Sequence, residues 1–172
     1  MHPSGSFSFD DSTWPLLVVR LTGEPSLKTF EEFLSRSTQY LQRQERHVCI
    51  FDVSELHLLS TEQRQRQVEW LKTNEVLMRQ ALLGIAYVIT SPIVRLTMGV
   101  IFHFKSPPAP YTIVSHPSEA GTWAAMRLEE ARLRAPAEHV RREYRPLVEV
   151  QAGLISGRGV PGTAGAALPP HR

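Results

Sequence analysis

The sequence predicts an α/β domain in which helices cover a mostly parallel sheet. Three short apolar runs rich in branched residues, at 15–21, 47–52 and 84–90, have the length and composition of buried strands. Each run is followed by a segment with apolar residues at helical spacing. Strands joined by helical crossovers normally lie parallel, with helices on the faces of the sheet. We therefore expect a single domain over residues 5–150, with about five strands and four helices.

The N-terminal part predicts two strands and a helix. Phe7 and Phe9 alternate with polar residues, which is typical of a strand, and the apolar run 15–21 follows after a turn. The hydroxyl of Ser26 can accept a backbone N–H and so cap a first helix. One face of that helix collects its apolar residues together with one serine: Leu27, Phe30, Phe33, Leu34, Ser37 and Leu41.

The middle of the chain predicts a strand, a loop and a long helix. The strand ends in Asp52, residues 54–59 have loop character, and Ser60 or Thr61 is expected to cap one helix over residues 62–82. The predicted inner face holds Val68, Leu71, Met78 and Leu82, beside a row of Trp70 and Leu77. The predicted outer face holds Gln63, Arg66, Glu69, Lys72 and Arg79.

A third strand and an apolar helix follow. After the run 84–90, Ser91 supplies an N-cap and Pro92 is compatible with the first helical position. The helix is expected to end at about Phe104, because the Pro-rich stretch 105–110 cannot continue it.

The last part of the domain predicts a short strand, a fourth helix and a disordered tail. The strand covers 111–114, and the helix after it is expected to be interrupted by Pro136 and followed by an amphipathic segment over 137–150. Residues 153–172 are rich in Gly and Pro and contain no aromatic residue. Such a stretch buries little apolar surface, so we expect a disordered tail that is dispensable for folding.

Composition excludes several classes of protein. The 172 residues, 42% of them hydrophobic, suffice for one core, and a net charge of +2 argues against nucleic-acid binding through excess positive charge. The single cysteine excludes an internal disulfide. The N-terminus lacks an apolar signal segment, and the chain has no long apolar run. We therefore expect a cytoplasmic protein with no membrane span.

Motifs for catalysis are missing from the sequence. It contains no glycine-rich phosphate loop, no dinucleotide-binding turn and no Gly-x-Ser-x-Gly nucleophile elbow. The seven histidines form no His-x-x-x-His pair. Cys49 lies in the middle of a predicted buried strand, which is typical of a packed thiol. We expect no enzyme, no cofactor and no metal site.

The end of the middle strand is the main candidate site. Asp52 lies at the carboxyl edge of the sheet, where open α/β folds place their sites, but it can equally cap the loop by accepting the N–H of Ser54 or Glu55. Ser60 and Thr61 precede a helix N-terminus that favours an anion such as phosphate. Plain helix capping explains these two residues as well.

Three further features have a structural and a functional interpretation. The apolar helix at 92–104 is either enclosed by the core or partly exposed as a contact surface. Trp70 and Trp123 are more typical of core or helix-edge packing than of binding anchors. The cluster of Arg141, Arg142 and Arg145 is typical of a solvated helix face.

The layout resembles the STAS domain, which is named for sulfate transporters and anti-sigma factor antagonists. The resemblance is carried by the strand pair 7–9 and 16–21, a helix, the strand VCIFDVS at 48–54, a loop and a second helix. It is strongest for the bacterial sporulation-antagonist-like (SpoIIAA-like) branch, which is itself similar to the lipid-binding CRAL-TRIO fold. Two tryptophan motifs, QRQVEW ending at Trp70 and EAGTW ending at Trp123, match one group in that branch, and the resemblance covers about residues 6–133.

The resemblance implies a signalling module rather than an enzyme. Anti-sigma factor antagonists bind a protein partner and are switched by phosphorylation of a serine just before the second helix. Alignment of the strand ends places Ser60, Thr61 and Glu62 over the family's Asp-Ser-Ser, so that Glu62 occupies the phosphorylated position. Either this carboxylate imitates a permanently charged state or the switch is absent. Ser60 and Thr61 are phosphorylation candidates by adjacency alone.

Two functions are therefore expected from the sequence. The first is a non-catalytic protein-interaction module that docks a partner through the loop and helix around residues 54–70. The alternative is a binder of a small apolar ligand or lipid, with a pocket under the helix at 93–104; a cavity of a few hundred Å³ would favour it. The sequence leaves open the identity of the partner and whether the protein is a homodimer. The candidate docking residues are Ser54, Glu55, His57, Ser60, Thr61, Glu62 and Trp70.

Overall fold

A five-stranded sheet lies at the centre of the structure, a computed structural model that describes residues 4–145. The strands lie in sequence order, and β1 is antiparallel to β2 while the other neighbouring strands are parallel. The predicted α/β fold with a mostly parallel sheet is thus confirmed. The strands are β1 (Ser6–Asp10), β2 (Leu16–Thr22), β3 (His47–Asp52), β4 (Leu82–Val88) and β5 (Tyr111–Val114).

The described residues form six helices, where the sequence analysis predicted four. One extra helix arises because the predicted helix 62–82 is divided at Asn74, and the other because the final amphipathic segment is itself helical. The helices are α1 (Leu27–Gln42), α2 (Thr61–Thr73), α3 (Glu75–Ala81), α4 (Pro92–Phe104), α5 (Pro117–Glu130) and α6 (Arg134–Glu143).

The division at Asn74 has a local cause. The backbone of Asn74 leaves the helical region (φ −99°, ψ 10°), and its side-chain amide donates to the carbonyl of Trp70, 3.0 Å away. Asparagine competes for backbone hydrogen bonds in this way and so favours helix ends. After the short α3, β4 begins at Leu82, two residues earlier than predicted.

The expected interruption at Pro136 is wrong. Arg132, with a φ of 66°, has the left-handed conformation that separates α5 from α6. Pro136 instead lies in the first turn of α6, where a missing N–H costs no helical hydrogen bond. The predicted tail at 153–172, and the part of the final segment beyond residue 145, lie outside the described residues.

Helices cover both faces of the sheet. One core lies between the sheet and the side formed by α1 to α4, and a second core lies under α5 and α6. Because both faces are covered, neighbouring residues of one strand serve different cores: Leu16 belongs to the second and Leu17 to the first. This explains why β2 and β4 are nearly continuous apolar runs.

Candidate functional site

Asp52 orients the loop that follows β3. Its carboxylate accepts the backbone N–H of Ser54 at 3.0 Å and the Ser54 hydroxyl at 2.6 Å, and it lies 3.6 Å from Nε of Arg20 on the neighbouring strand. These contacts fit the capping interpretation given above. The residue therefore acts here as the anchor of a turn.

The loop is also tied to the end of β2. The N–H of Gly23 donates to the carbonyl of Glu55, and the N–H of His57 donates to the carbonyl of Gly23, both at 2.9 Å. Gly23 has a φ of 63°, a conformation that glycine adopts without strain. Two separate elements thus hold the loop backbone, while the side chains of Glu55 and His57 are exposed.

Three of the predicted docking residues meet in one shallow depression at the carboxyl edge of the sheet. This sheet-edge depression has a volume of about 410 Å³. Ser54, Glu55 and His57 line it. The other residues in its wall are Ser4, Thr22, Gly23, Leu56 and Ser91.

The start of α2 is fixed by a capping box that the sequence analysis missed. The Ser60 hydroxyl accepts the N–H of Gln63 at 3.1 Å, and the Gln63 side chain accepts the N–H of Ser60 at 2.8 Å. Gln63 is 97% buried and donates to the carbonyl of Pro25 at 2.6 Å. Its predicted place on the outer face is therefore wrong. The Ser-x-x-Gln spacing is a known capping-box signature and was the available signal.

Thr61 and Glu62 are both exposed but belong to different surroundings. The Thr61 hydroxyl accepts from the Arg64 guanidinium at 3.0 Å. The Glu62 carboxylate lies 3.8 Å from the guanidinium of Arg66, which also approaches Glu31 on α1 at 3.7 Å. Glu62 thus takes part in a network of ion pairs between α1 and α2.

Trp70 is separated from the other candidate residues. It is half-buried on α2 and packs against the first core, and its indole N–H donates to the hydroxyl of Thr38 on α1 at 2.9 Å. This geometry joins two helices. The structure brings Ser54, Glu55 and His57 together, whereas Trp70 lies on an inner side of α2.

A small cavity lies under α4, where the alternative function requires a ligand pocket. Its volume is about 90 Å³, well below the few hundred Å³ typical of ligand sites. The lining is mostly apolar and includes Trp70, Met98, Ile101 and Tyr87. Burial raises the pKa of the Tyr87 phenol, so this group stays protonated.

Helix α4 is enclosed by the core on one side and exposed on the other, so both of the environments considered for it are present. Its inner side is buried through Val94, Thr97, Met98 and Ile101. Its outer side exposes four large apolar side chains, which we call the α4 apolar row. These are Ile93 (55% exposed), Leu96 (69%), Val100 (41%) and Phe104 (67%).

An open groove runs between α2 and α4. This α2–α4 groove has a volume of about 530 Å³, and Val100 and Phe104 of the α4 apolar row form part of its wall. Sequence reasoning did not find it, because its two walls are about 30 residues apart along the chain. The rest of its wall consists of Ile101 on α4 and of Thr61, Arg64, Gln65, Val68, Glu69 and Lys72 on α2.

The surroundings of Cys49 and Glu75 shift the pKa values of these two groups. Burial raises the pKa of the Cys49 thiol to about 12, which leaves it protonated and unreactive at neutral pH. The Glu75 carboxylate has a lowered pKa because Lys105 and Arg79 donate hydrogen bonds to it. Within residues 4–145, no three His, Cys, Asp or Glu side chains are grouped so that they could hold a metal ion.

Comparison with known proteins adds no assignment to this geometry. No family model matches the chain, and no curated protein matches it. In the part of the chain that the structure describes, no helix has both the length and the apolar character needed to cross a membrane.

Proposed function

We propose that the protein is a non-catalytic signalling module that docks a protein partner at the sheet-edge depression, as the STAS-like layout implies. The observation that carries this proposal is the rigid presentation of the loop after β3. Asp52 and Gly23 fix the loop backbone, and the side chains of Glu55 and His57 remain exposed. A loop that is ordered before binding loses little conformational entropy when a partner arrives.

The charge of this surface favours a basic patch on the partner. Glu55 carries an exposed carboxylate, and Glu62 adds another on the first turn of α2. Charges at the rim of an interface mainly set the association rate and its dependence on salt. In a bacterial cytoplasm, such a module would act by binding and releasing its partner.

Phosphorylation is a second part of the proposal. In the STAS resemblance, Glu62 aligns with the position that is phosphorylated in anti-sigma factor antagonists, and its carboxylate lies 3.8 Å from the guanidinium of Arg66. Ser60 is engaged in the capping box, and Thr61 is exposed beside it. A phosphate on Thr61 would add negative charge at a helix N-terminus, where the helix dipole favours it.

Site-directed photo-crosslinking in the native cell tests the proposed surface. A crosslinking residue at Glu55 or His57 is expected to capture one defined protein, and the same residue at the exposed Glu138 on α6 serves as the control. With that protein purified, Glu55→Lys combined with Glu62→Lys is expected to slow association, most strongly at low salt. The matched control is Glu138→Lys with Glu143→Lys on α6. Equal association rates for the two double variants would refute the proposal.

A small apolar ligand is the second candidate function, and the cavity under α4 is where such a ligand would bind. The Tyr87 phenol lines this cavity and is 95% buried. A volume of about 90 Å³ accommodates a small apolar group, so a lipid would require α4 to move. An apolar ligand that binds this cavity should raise the melting temperature as its concentration rises, and filling the cavity by Met98→Trp should abolish that increase. A ligand that stabilises both forms equally would bind elsewhere.

A further inference from the structure

The α4 apolar row is left uncovered by the described part of the protein. Its members recur at positions 93, 96, 100 and 104, so they follow one side of the helix over about three turns, or roughly 17 Å. Large contiguous apolar surfaces on soluble proteins usually mark interaction sites. The row lies on a different element from the loop at residues 54–60, so it defines a second surface.

From this surface we propose a second docking site, in which the α2–α4 groove binds an amphipathic helix with an apolar face and acidic margins. The groove has the concave form that a third helix fills when it packs against two neighbours. Val100, Phe104 and Val68 supply apolar contacts along it. A flat bilayer surface would not enter such a concavity.

The charges around the groove favour acidic residues along the margins of the bound helix. Arg64 and Lys72 line the groove on α2, and Glu69 is the one acidic residue among the described residues that line it. Lys72 forms no ion pair within residues 4–145, so its ammonium group is available to a partner. Carboxylates on the incoming helix would complement this excess of positive charge.

The same charges disfavour a second copy of the chain as the occupant. In a two-fold symmetric pair, each surface meets its own copy. The positive margin formed by Arg64 and Lys72 on α2 would then face an identical positive margin, and like charges across an interface weaken association. The occupant is therefore expected to be a different polypeptide.

A peptide-display selection against the whole chain provides the test. The library is an 18-residue amphipathic helix with fixed apolar positions at i, i+3, i+4 and i+7 and with Glu, Lys, Gln or Ala at the margins. Selection is expected to enrich Glu over Lys at the margins. Val100→Glu should weaken the selected peptides by at least about tenfold, as expected for an anchor at the centre of an interface. The matched control is Val76→Glu on α3, which places the same charge at an exposed valine outside the groove. It should leave binding unchanged, and the melting temperatures of both variants confirm that they fold.

Four results would overturn the proposal. The first is that no peptide is enriched over a selection against an unrelated protein, and the second is that the Val100→Glu and Val76→Glu variants bind the selected peptides equally well. The third is that the wild-type protein is a dimer that Val100→Glu dissociates. The fourth is that the wild-type protein sediments with anionic phosphatidylserine vesicles and that Val100→Glu abolishes this. The last two would identify a second copy or a membrane as the occupant. None of these results bears on the crosslinking at Glu55 and His57, so the two proposals fail independently.

Discussion

Trp70 is the clearest case of a candidate docking residue whose position in the fold indicates a structural role. Its ring packs against the first core and borders the cavity, and its N–H donates to Thr38. Trp70→Ala is expected to lower the free energy of unfolding by about 3 kcal/mol, because it enlarges an existing cavity and removes a hydrogen bond.

Trp70→Phe keeps most of the ring and loses only the hydrogen bond, so it should cost about 1 kcal/mol. Chemical denaturation of the two variants measures both values. If Trp70→Ala were as stable as the wild type and failed to bind the crosslinked partner, Trp70 would be an interface anchor and the structural assignment would be wrong.

His47 makes stability depend on pH. It is almost fully buried beside Trp14, and its Nδ1 lies 2.9 Å from the carbonyl of Glu45. Burial lowers the pKa of His47 below the ordinary histidine value of 6.5. The unfolded chain therefore takes up the proton first, so this group's contribution to stability is complete above pH 6.5 and is lost as the pH falls from there through the folded-state pKa.

Denaturant unfolding between about pH 7.5 and pH 5 tests this expectation. His47→Gln should reduce the loss of stability on acidification. The control His57→Gln, at an exposed histidine, should leave that loss as large as in the wild type. If His47→Gln and the wild type lost stability in parallel over this range, another group would be responsible.

The first turn of α2 shows how a few local contacts position an element. Ser60→Ala removes one cap hydrogen bond and should cost about 1 kcal/mol. Gln63→Ala should cost more, about 2 kcal/mol, because it also leaves the carbonyl of Pro25 without its buried partner. Thr61→Ala should change stability little, since its hydroxyl only meets the guanidinium of Arg64 at an exposed position.

Thermal unfolding of the three single variants and of Ser60→Ala/Gln63→Ala tests this order. The double variant should cost less than the sum of the single ones, because both residues belong to the same capping box. An additive result would mean that the two side chains act separately. A large effect of Thr61→Ala would mean that Thr61 stabilises the helix start.

The elements that the sequence predicted best are those with strong local signals. The strand at 111–114 and the helix at 92–104 have the predicted bounds. For α4 the signals are local, because Ser91 and Pro92 mark its start and the Pro-rich stretch after Phe104 marks its end. The division at Asn74 was missed because apolar spacing continues across it. Asparagine at a helix interior was the weak signal that could have indicated the break.

The two candidate sites also differ in how far the local sequence predicts them. The sheet-edge depression was predicted in part, because Ser54, Glu55 and His57 are neighbours in the chain and follow a strand that ends at the carboxyl edge. The α2–α4 groove was not, because Val68 and Phe104 meet only once the sheet has placed their helices side by side. Long-range packing of this kind leaves no periodic pattern in one sequence.

Taken together, the two cores are two sides of one sheet, so they should fold as one cooperative unit. Leu16 and Leu17 are adjacent on β2 and almost fully buried, and they face opposite cores. Leu16→Ala and Leu17→Ala should therefore each destabilise the entire domain, by about 2–5 kcal/mol. A substitution that destabilises one core would also destabilise the other, because both cores share the backbone of β2 and its hydrogen bonds to β1 and β3.

Single-tryptophan variants can follow the two sides separately. Trp70 reports from the side of α1 to α4, and Trp123 reports from the side of α5, where it packs against the second core. With the other tryptophans changed to Phe, each Leu→Ala substitution should lower the denaturant midpoint of both single-tryptophan variants by a similar amount relative to its own single-tryptophan parent, as a two-state transition requires. If Leu16→Ala shifted the midpoint only in the variant that keeps Trp123, the layers would unfold independently. Similar shifts would mean that a partner bound at either proposed surface stabilises the entire domain, because each binding energy then adds to a single folding equilibrium.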